Sequence, residues 1–172
     1  MDSNIDIEGR NIYLYDIIND EVSINITKWM KGLEDREPRD PINLYINTQG
    51  GSVQHFLSIY DVMRSLDCDV NTIGSGYCMS GGALLLLSGT GNRKAYRNTA
   101  IMLHEMQTSI GYRQFTDVDI KNKWLKSINN KIKNIIAEHT NKSLEQVKKD
   151  MKRDLYLDTE KARDYGIIDE II

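Results

Sequence analysis

This chain of 172 residues is poor in the residues that mark specialised scaffolds. It has two cysteines, Cys68 and Cys78, too few for a disulfide framework or a four-ligand zinc site. Reduced thiols in a cytosol-like compartment are the reading that follows. It has two prolines, Pro38 and Pro41, both in one stretch, so no proline-rich linker divides the chain. It lacks any apolar run near the roughly 20 residues of a membrane span. The longest such run is Ala83–Leu87. Neither sign of charge dominates: 22 Lys and Arg face 25 Asp and Glu, a net charge of −3. That balance, without a basic block, excludes a dedicated nucleic-acid binder. The three histidines, His55, His104 and His139, have no carboxylate at ligand spacing, so no metal and no cofactor is expected. The polar, acidic start, residues 1–10, is neither a secretory signal nor a transit peptide. What is present is enough apolar residue, 40%, for one core in one domain spanning residues 1–172.

The hydrophobic spacing predicts strands alternating with helices. Ile12–Leu14 is a short strand. Asp20 is the expected cap of a helix carrying Val22, Ile26, Trp29, Met30 and Leu33 on one face, ended by Gly32 and the charged stretch that follows. Ile42–Ile46 reads as a buried strand, residues 48–52 as a turn, and Phe56, Leu57, Tyr60, Met63 and Leu66 as a second amphipathic helix. Asp69–Ile73 is the next strand, with Gly74–Gly76 a loose turn. Gly81–Leu87 is a short buried helix, and Ala100–Leu103 another strand. This alternation implies βαβ units and a mainly parallel sheet. From Thr116 to about Thr140 runs one long helical pattern bearing Ile120, Trp124, Leu125, Ile128, Ile132, Ile135 and Ile136. Thr116 with Asp119 resembles a capping box. Some 24 helical residues span roughly 36 Å. Such a helix either lies across the domain or projects and needs a partner subunit, and the pattern alone leaves both open. Ser143–Gln146 is a capping box for a short helix, Asp158 or Thr159 caps a last one closed by Gly166, and Ile167–Ile172 is a terminal strand.

Four positions carry residue types suited to chemistry. Gly50-Gly51 follows a strand and opens a helix. A tight turn explains it, and so does a bare backbone whose N–H groups face a substrate carbonyl. Ser80 lies between a strand and a buried helix, where a serine is usually a cap. There a hydroxyl nucleophile would also have the free N–H of Gly81 beside it. His104 ends a strand, on the sheet edge where open α/β folds bind ligands. Asp154, between two helices, is either an exposed loop acid or the group that orients an imidazole. Lys148, Lys149, Lys152 and Arg153 alternate with Glu145, Asp150 and Asp154 and read as a solvated face.

Taken in order, these segments resemble the ClpP family, the proteolytic subunit of the Clp protease. The resemblance runs from about Arg10 to Ile172. It is carried by Leu44-Tyr-Ile-Asn-Thr-Gln-Gly-Gly-Ser-Val53, Ile59-Tyr-Asp-Val-Met63, Gly76-Tyr-Cys-Met-Ser-Gly-Gly-Ala-Leu-Leu85, Ile101-Met-Leu-His104, Thr140-Asn-Lys-Ser-Leu-Glu-Gln146, Arg153-Asp154 and Ala162-Arg-Asp-Tyr-Gly-Ile-Ile-Asp169. It implies an α/β fold, the ClpP/crotonase-type spiral of βαβ units with a protruding handle helix, the handle region covering about residues 107–140. It implies a serine endopeptidase with Ser80 as nucleophile, His104 as general base and Asp154 as orienting acid, and with Gly51 and Gly81 forming the oxyanion hole. It further implies stacked heptameric rings, an AAA+ unfoldase partner, unfolded polypeptide substrates and a cytoplasmic setting, here with the stamp of a divergent, viral-type member.

The chain departs from the family at four places. Gly81 stands where a larger residue usually follows the nucleophile. Glu105-Met106 replaces Gln-Pro, and Gln107–Ile110 replaces a glycine-rich strand. Few residues precede Arg10, the region of the family's axial loops. A weakly active adaptor subunit that modulates a host Clp protease is therefore the alternative. An acyl-CoA enzyme of the crotonase type is a more distant one, since no residue suggests a CoA site.

Overall fold

The computed structural model describes residues 4–108 and 114–172. Among them are eight strands and six helices: β1 (Ile5–Asp6), β2 (Asn11–Leu14), α1 (Asp20–Arg36), β3 (Ile42–Thr48), α2 (Val53–Ser65), β4 (Val70–Met79), α3 (Gly81–Leu87), β5 (Arg93–Ala95), β6 (Ala100–Leu103), α4 (Phe115–His139), α5 (Leu144–Asp150), β7 (Leu155–Leu157), α6 (Thr159–Tyr165) and β8 (Glu170–Ile171). The expected α/β class is the observed one. The sheet runs β1-β2-β3-β4-β5-β8, parallel except at β1, and β6 joins β4 while carrying β7 antiparallel. The apolar positions of the repeating units fill one core. Ile12, Leu14, Ile42, Leu44 and Ile46 come from the strands, Ile26, Met30, Phe56 and Met63 from the helices, and all of α3 is buried.

Several boundaries differ from the expected ones. Asn19, not Asp20, caps α1, because its side chain accepts from the Val22 N–H. Gly32 does not end that helix, which continues to Arg36; nothing lies within 4 Å of where its Cβ would be. Residues 74–76 are not a turn. β4 runs through them and bends at Gly76, which takes φ +58, while Asn47 Oδ1 accepts from the Tyr77 N–H at 3.0 Å. The bend lets one strand pair β5 through Thr72–Gly74 and β6 through Tyr77–Met79. Gln114, not Thr116, stands at the α4 N-cap, and the terminal strand shrinks to Glu170–Ile171. Gln107 and Thr108 are irregular, and the rest of the expected Gln107–Ile110 strand lies outside the described residues. Ser143, Asp158 and Gly166 cap as the sequence predicts.

The long helix divides its apolar stripe in two. Ile128, Ile132, Ile135 and Ile136 are buried against the core, whereas Ile120 is 68% and Trp124 50% exposed. The C-terminal half packs; the N-terminal half leaves its stripe uncovered. No described helix is long and apolar enough to cross a membrane.

The C-terminal segment is pinned by Arg93. Its guanidinium donates to the carbonyls of His139 and Gly166 and pairs with Asp169. That hydrogen bond holds the Asp169 carboxyl below its ordinary range. A carboxyl lowered in the folded state stabilises fully above its unfolded pKa and loses that contribution as pH falls through the folded value. Asp169→Asn should therefore lower the Tm at pH 7, and the difference from wild type should narrow as pH falls below the ordinary carboxyl range of about 4. Thermal melts across pH check this.

Candidate active site

Strand register explains which side chains meet. Cys78 pairs with Ile101 and Met79 with Met102 across β4 and β6. One residue beyond Met79 is Ser80, whose N–H donates to the Met102 carbonyl at 2.8 Å. Two beyond Met102 is His104. Parallel neighbours thus deliver a hydroxyl and an imidazole to the same sheet edge, and His104 Nε2 lies 2.8 Å from Ser80 Oγ. That is within the reach a base needs to take the hydroxyl proton.

Ser80 sits at φ +53, ψ −120, between β4 and α3. A non-glycine residue with positive φ is uncommon and costs of order 1–3 kcal/mol. The strain is held because the preceding strand and the following buried helix fix both ends. Its side chain makes no capping bond, so the hydroxyl is free for His104. The geometry is that of a nucleophile elbow, a sharp strand-to-helix turn that presents its hydroxyl.

Gly50 and Gly51 take φ +101 and +154. A Cβ at Gly50 would lie 2.8 Å from both the Gly81 nitrogen and Ser80 Cβ, and one at Gly51 would meet the Ile18 carbonyl. Glycine is required at both. Ile18 docks here by donating to the Gly50 carbonyl at 2.8 Å and accepting from the Ser52 N–H at 2.9 Å. That bridge uses the groups on either side of Gly51 and leaves its own N–H unengaged. Gly81 opens α3, where a first-turn N–H has no intrahelical acceptor. A Cβ built on Gly81 falls 3.6 Å from the Gly51 nitrogen, so Gly81 and the Gly51 amide are close neighbours beside Ser80.

These groups open on a cavity of about 360 Å³ lined by Gly51, Ser80, His104 and Asp154, with Val53, Leu84, Met102 and Ile132 as apolar wall. All but Gly81 of the five expected site residues line it. Asp154 lines the cavity and is exposed. It makes no hydrogen bond to His104 among the described residues. Sequence reasoning did not find Ile18, which fixes Gly51, or Ile132 of α4. Both act through space, and no local pattern announces them. It also missed the partners of Glu105: Lys133 Nζ at 2.6 Å and Asn129 Nδ2 at 2.8 Å.

A second hydroxyl–imidazole pair exists on the helices, Ser23 Oγ with His55 Nδ1 at 3.3 Å. Ser23 is buried and its hydroxyl already donates to the Asp20 carbonyl at 2.9 Å, so it has neither access nor a free proton for an acyl group. His139 pairs with Tyr60 at 3.1 Å; burial, then Arg64 and Arg93, hold its pKa down. Cys78 is buried with its thiol pushed up to about 12 by desolvation, which removes it as a nucleophile.

Matched against protein-family models, the chain fits that of the Clp protease over residues 4–172. It belongs to the Clp protease family. Clp proteases are serine peptidases, and in this chain a strained serine and a strand-end histidine meet in one cleft. The Clp protease assignment also agrees with the observed ClpP-type α/β fold and its long α4.

Proposed function

We propose that this chain is a serine endopeptidase subunit of a chambered Clp-type oligomer, one peptidase unit with Ser80, His104 and Asp154 as its triad. The observation that carries the reading is the 2.8 Å contact between His104 Nε2 and Ser80 Oγ at a residue held at φ +53. Ser80 Oγ attacks the scissile carbonyl carbon as His104 Nε2 takes its proton. The carbonyl oxygen becomes an oxyanion that the Gly51 and Gly81 N–H groups receive, each donor worth about 3–4 kcal/mol in the transition state. The C–N bond then breaks as the imidazolium gives the proton to the leaving amine. Water attacks the acyl ester by the same route, His104 takes its proton, and Ser80 is restored with release of the acid. Asp154, which lines the same cavity, orients the imidazole once it reaches the ring nitrogen that Ser80 does not use. The apolar wall of the cavity suits an apolar side chain next to the scissile bond.

The uncovered half of α4 supports a partner subunit. Ile120 and Trp124 form an exposed apolar stripe continuous with a packed one, and covering such a stripe is what an interface does. Ile120→Asp combined with Trp124→Glu should halve the assembled mass, giving single rings, with the chain still folded. Sedimentation velocity against circular dichroism measures this. A tyrosine cluster on the sheet, with Tyr13 stacked on Tyr45 at 5.2 Å and Tyr15 and Tyr96 half exposed, is a second patch suited to a protein partner such as an unfoldase.

The adaptor reading, raised by the departures at Gly81 and before Arg10, gains one structural observation, that Asp154 and His104 share no hydrogen bond among the described residues. Solution mass and hydrolysis of a short fluorogenic peptide separate the two readings. A homo-oligomer that cleaves the peptide supports the peptidase. A chain that is inactive alone and joins rings of another Clp protease subunit supports the adaptor.

A further inference from the structure

The segment that carries His104 has little to hold it. β6 ends at Leu103, and residues 104–108 are irregular. Asp154 does not bond the imidazole. The side chain directly after the histidine supplies a hold. Glu105 Oε1 accepts from Lys133 Nζ at 2.6 Å and from Asn129 Nδ2 at 2.8 Å, so two residues one turn apart on α4 grip one carboxylate oxygen. The Lys133 side chain is only 10% exposed. A nearly buried ammonium needs a charged partner, and Glu105 is the one it has among the described residues. Lys133, then Asn129, hold the carboxyl in its ionised form. The neighbouring residue, Ile132, is a wall of the cavity.

We infer that Glu105, Lys133 and Asn129 form a clasp that fixes the His104 segment to α4 and so sets the imidazole against Ser80. Glu105 and Lys133 are positioning residues: neither touches the reacting atoms. The inference rests on the peptidase reading and adds to it the reason Glu follows the histidine in this chain. Asn129 suits a clasp of either polarity. Its Oδ1 is buried without a hydrogen-bond partner, so a rotated amide can accept from a lysine at position 105 as readily as it now donates to a glutamate.

The test measures peptide hydrolysis and the rate of fluorophosphonate labelling of the assembled protein, well below the Tm of each variant. Glu105→Gln and Lys133→Met should each lower kcat and the labelling rate about 10- to 100-fold, the effect of a small misplacement of a catalytic group, with KM little changed. The charge-swapped double variant Glu105→Lys/Lys133→Glu should recover most of the loss. A merely structural pair would lower Tm and leave the kcat of the folded protein unchanged. Wild-type kcat in both single variants, or no recovery in a folded double variant, overturns the clasp. Ser80→Ala in parallel tells the two ideas apart: if it hydrolyses as wild type does, the peptidase reading falls, whatever the clasp variants show.

Discussion

Ser80→Ala is expected to lower peptide hydrolysis by about 10⁴- to 10⁶-fold, with binding of the peptide nearly unchanged. Without the hydroxyl no acyl-enzyme forms. His104 then has no proton to take, and only the two amides and the cleft remain to act on the carbonyl. The fold should not suffer. The hydroxyl makes no cap bond to α3, and alanine at φ +53 carries the same backbone strain as serine. Ser80→Gly should be just as inactive yet more stable by about 1 kcal/mol, because glycine relieves that strain. Active but strained, then inactive but relaxed, is the pattern expected where backbone strain serves a site. Peptidase assays and thermal melts on the same three proteins check it. If Ser80→Gly is no more stable than Ser80→Ala, the strain is not stored at this residue.

Gly51→Ala should have the second largest effect. The new Cβ would meet the backbone carbonyl of Ile18, with φ at +154 in a region alanine avoids. Ile18 is itself tied to this turn through the Gly50 carbonyl and the Ser52 N–H, so it cannot retreat without breaking both bonds. The turn must shift, and the Gly51 amide shifts with it. Loss of one oxyanion donor costs about 10²- to 10³-fold in kcat, and a lower Tm should accompany it. Gly32→Ala is the control. Its helical site in α1 is open, so it should raise stability by about 0.5–1 kcal/mol and leave hydrolysis alone. A Gly51→Ala protein with wild-type kcat would remove this amide from the proposed hole.

The fold was legible where a single period ruled. The strands Ile42–Ile46 and Ala100–Leu103 and the buried helix Gly81–Leu87 have one hydrophobic pattern each, and the structure keeps them. Legibility failed where tertiary contacts overrode a local signal. Gly76 marks a bend inside β4 rather than its end, because β3 and β6 supply partners on both sides of it. Gly32 stays helical because α1 is anchored on either side of it by Met30 and Leu33. The three-residue strand β7 carries no pattern of its own; it forms because Leu155–Leu157 find β6. The site divides in the same way. His104 follows a strand whose end the sequence showed, and Gly51 follows another, but the end of β4 that carries Ser80 was not visible, because the pattern closed that strand at Ile73. The contact between Ser80 and His104 required the register of β4 on β6. The grip of Lys133 on Glu105 required the course of α4, which its heptad-like isoleucines indicate only as a buried face. Asp154 lines the same cavity as Ser80 and His104 but makes no hydrogen bond to the imidazole among the described residues.

The central claim is that Ser80 is an activated nucleophile, and one measurement addresses it most directly. The assembled protein is treated with a fluorophosphonate, and the adduct is located by mass spectrometry of its peptides. One adduct per chain is expected, on the peptide containing Ser80, absent from Ser80→Ala and slowed by orders of magnitude in His104→Ala. No adduct on the intact assembly, or an adduct formed at the same rate without His104, would contradict the account.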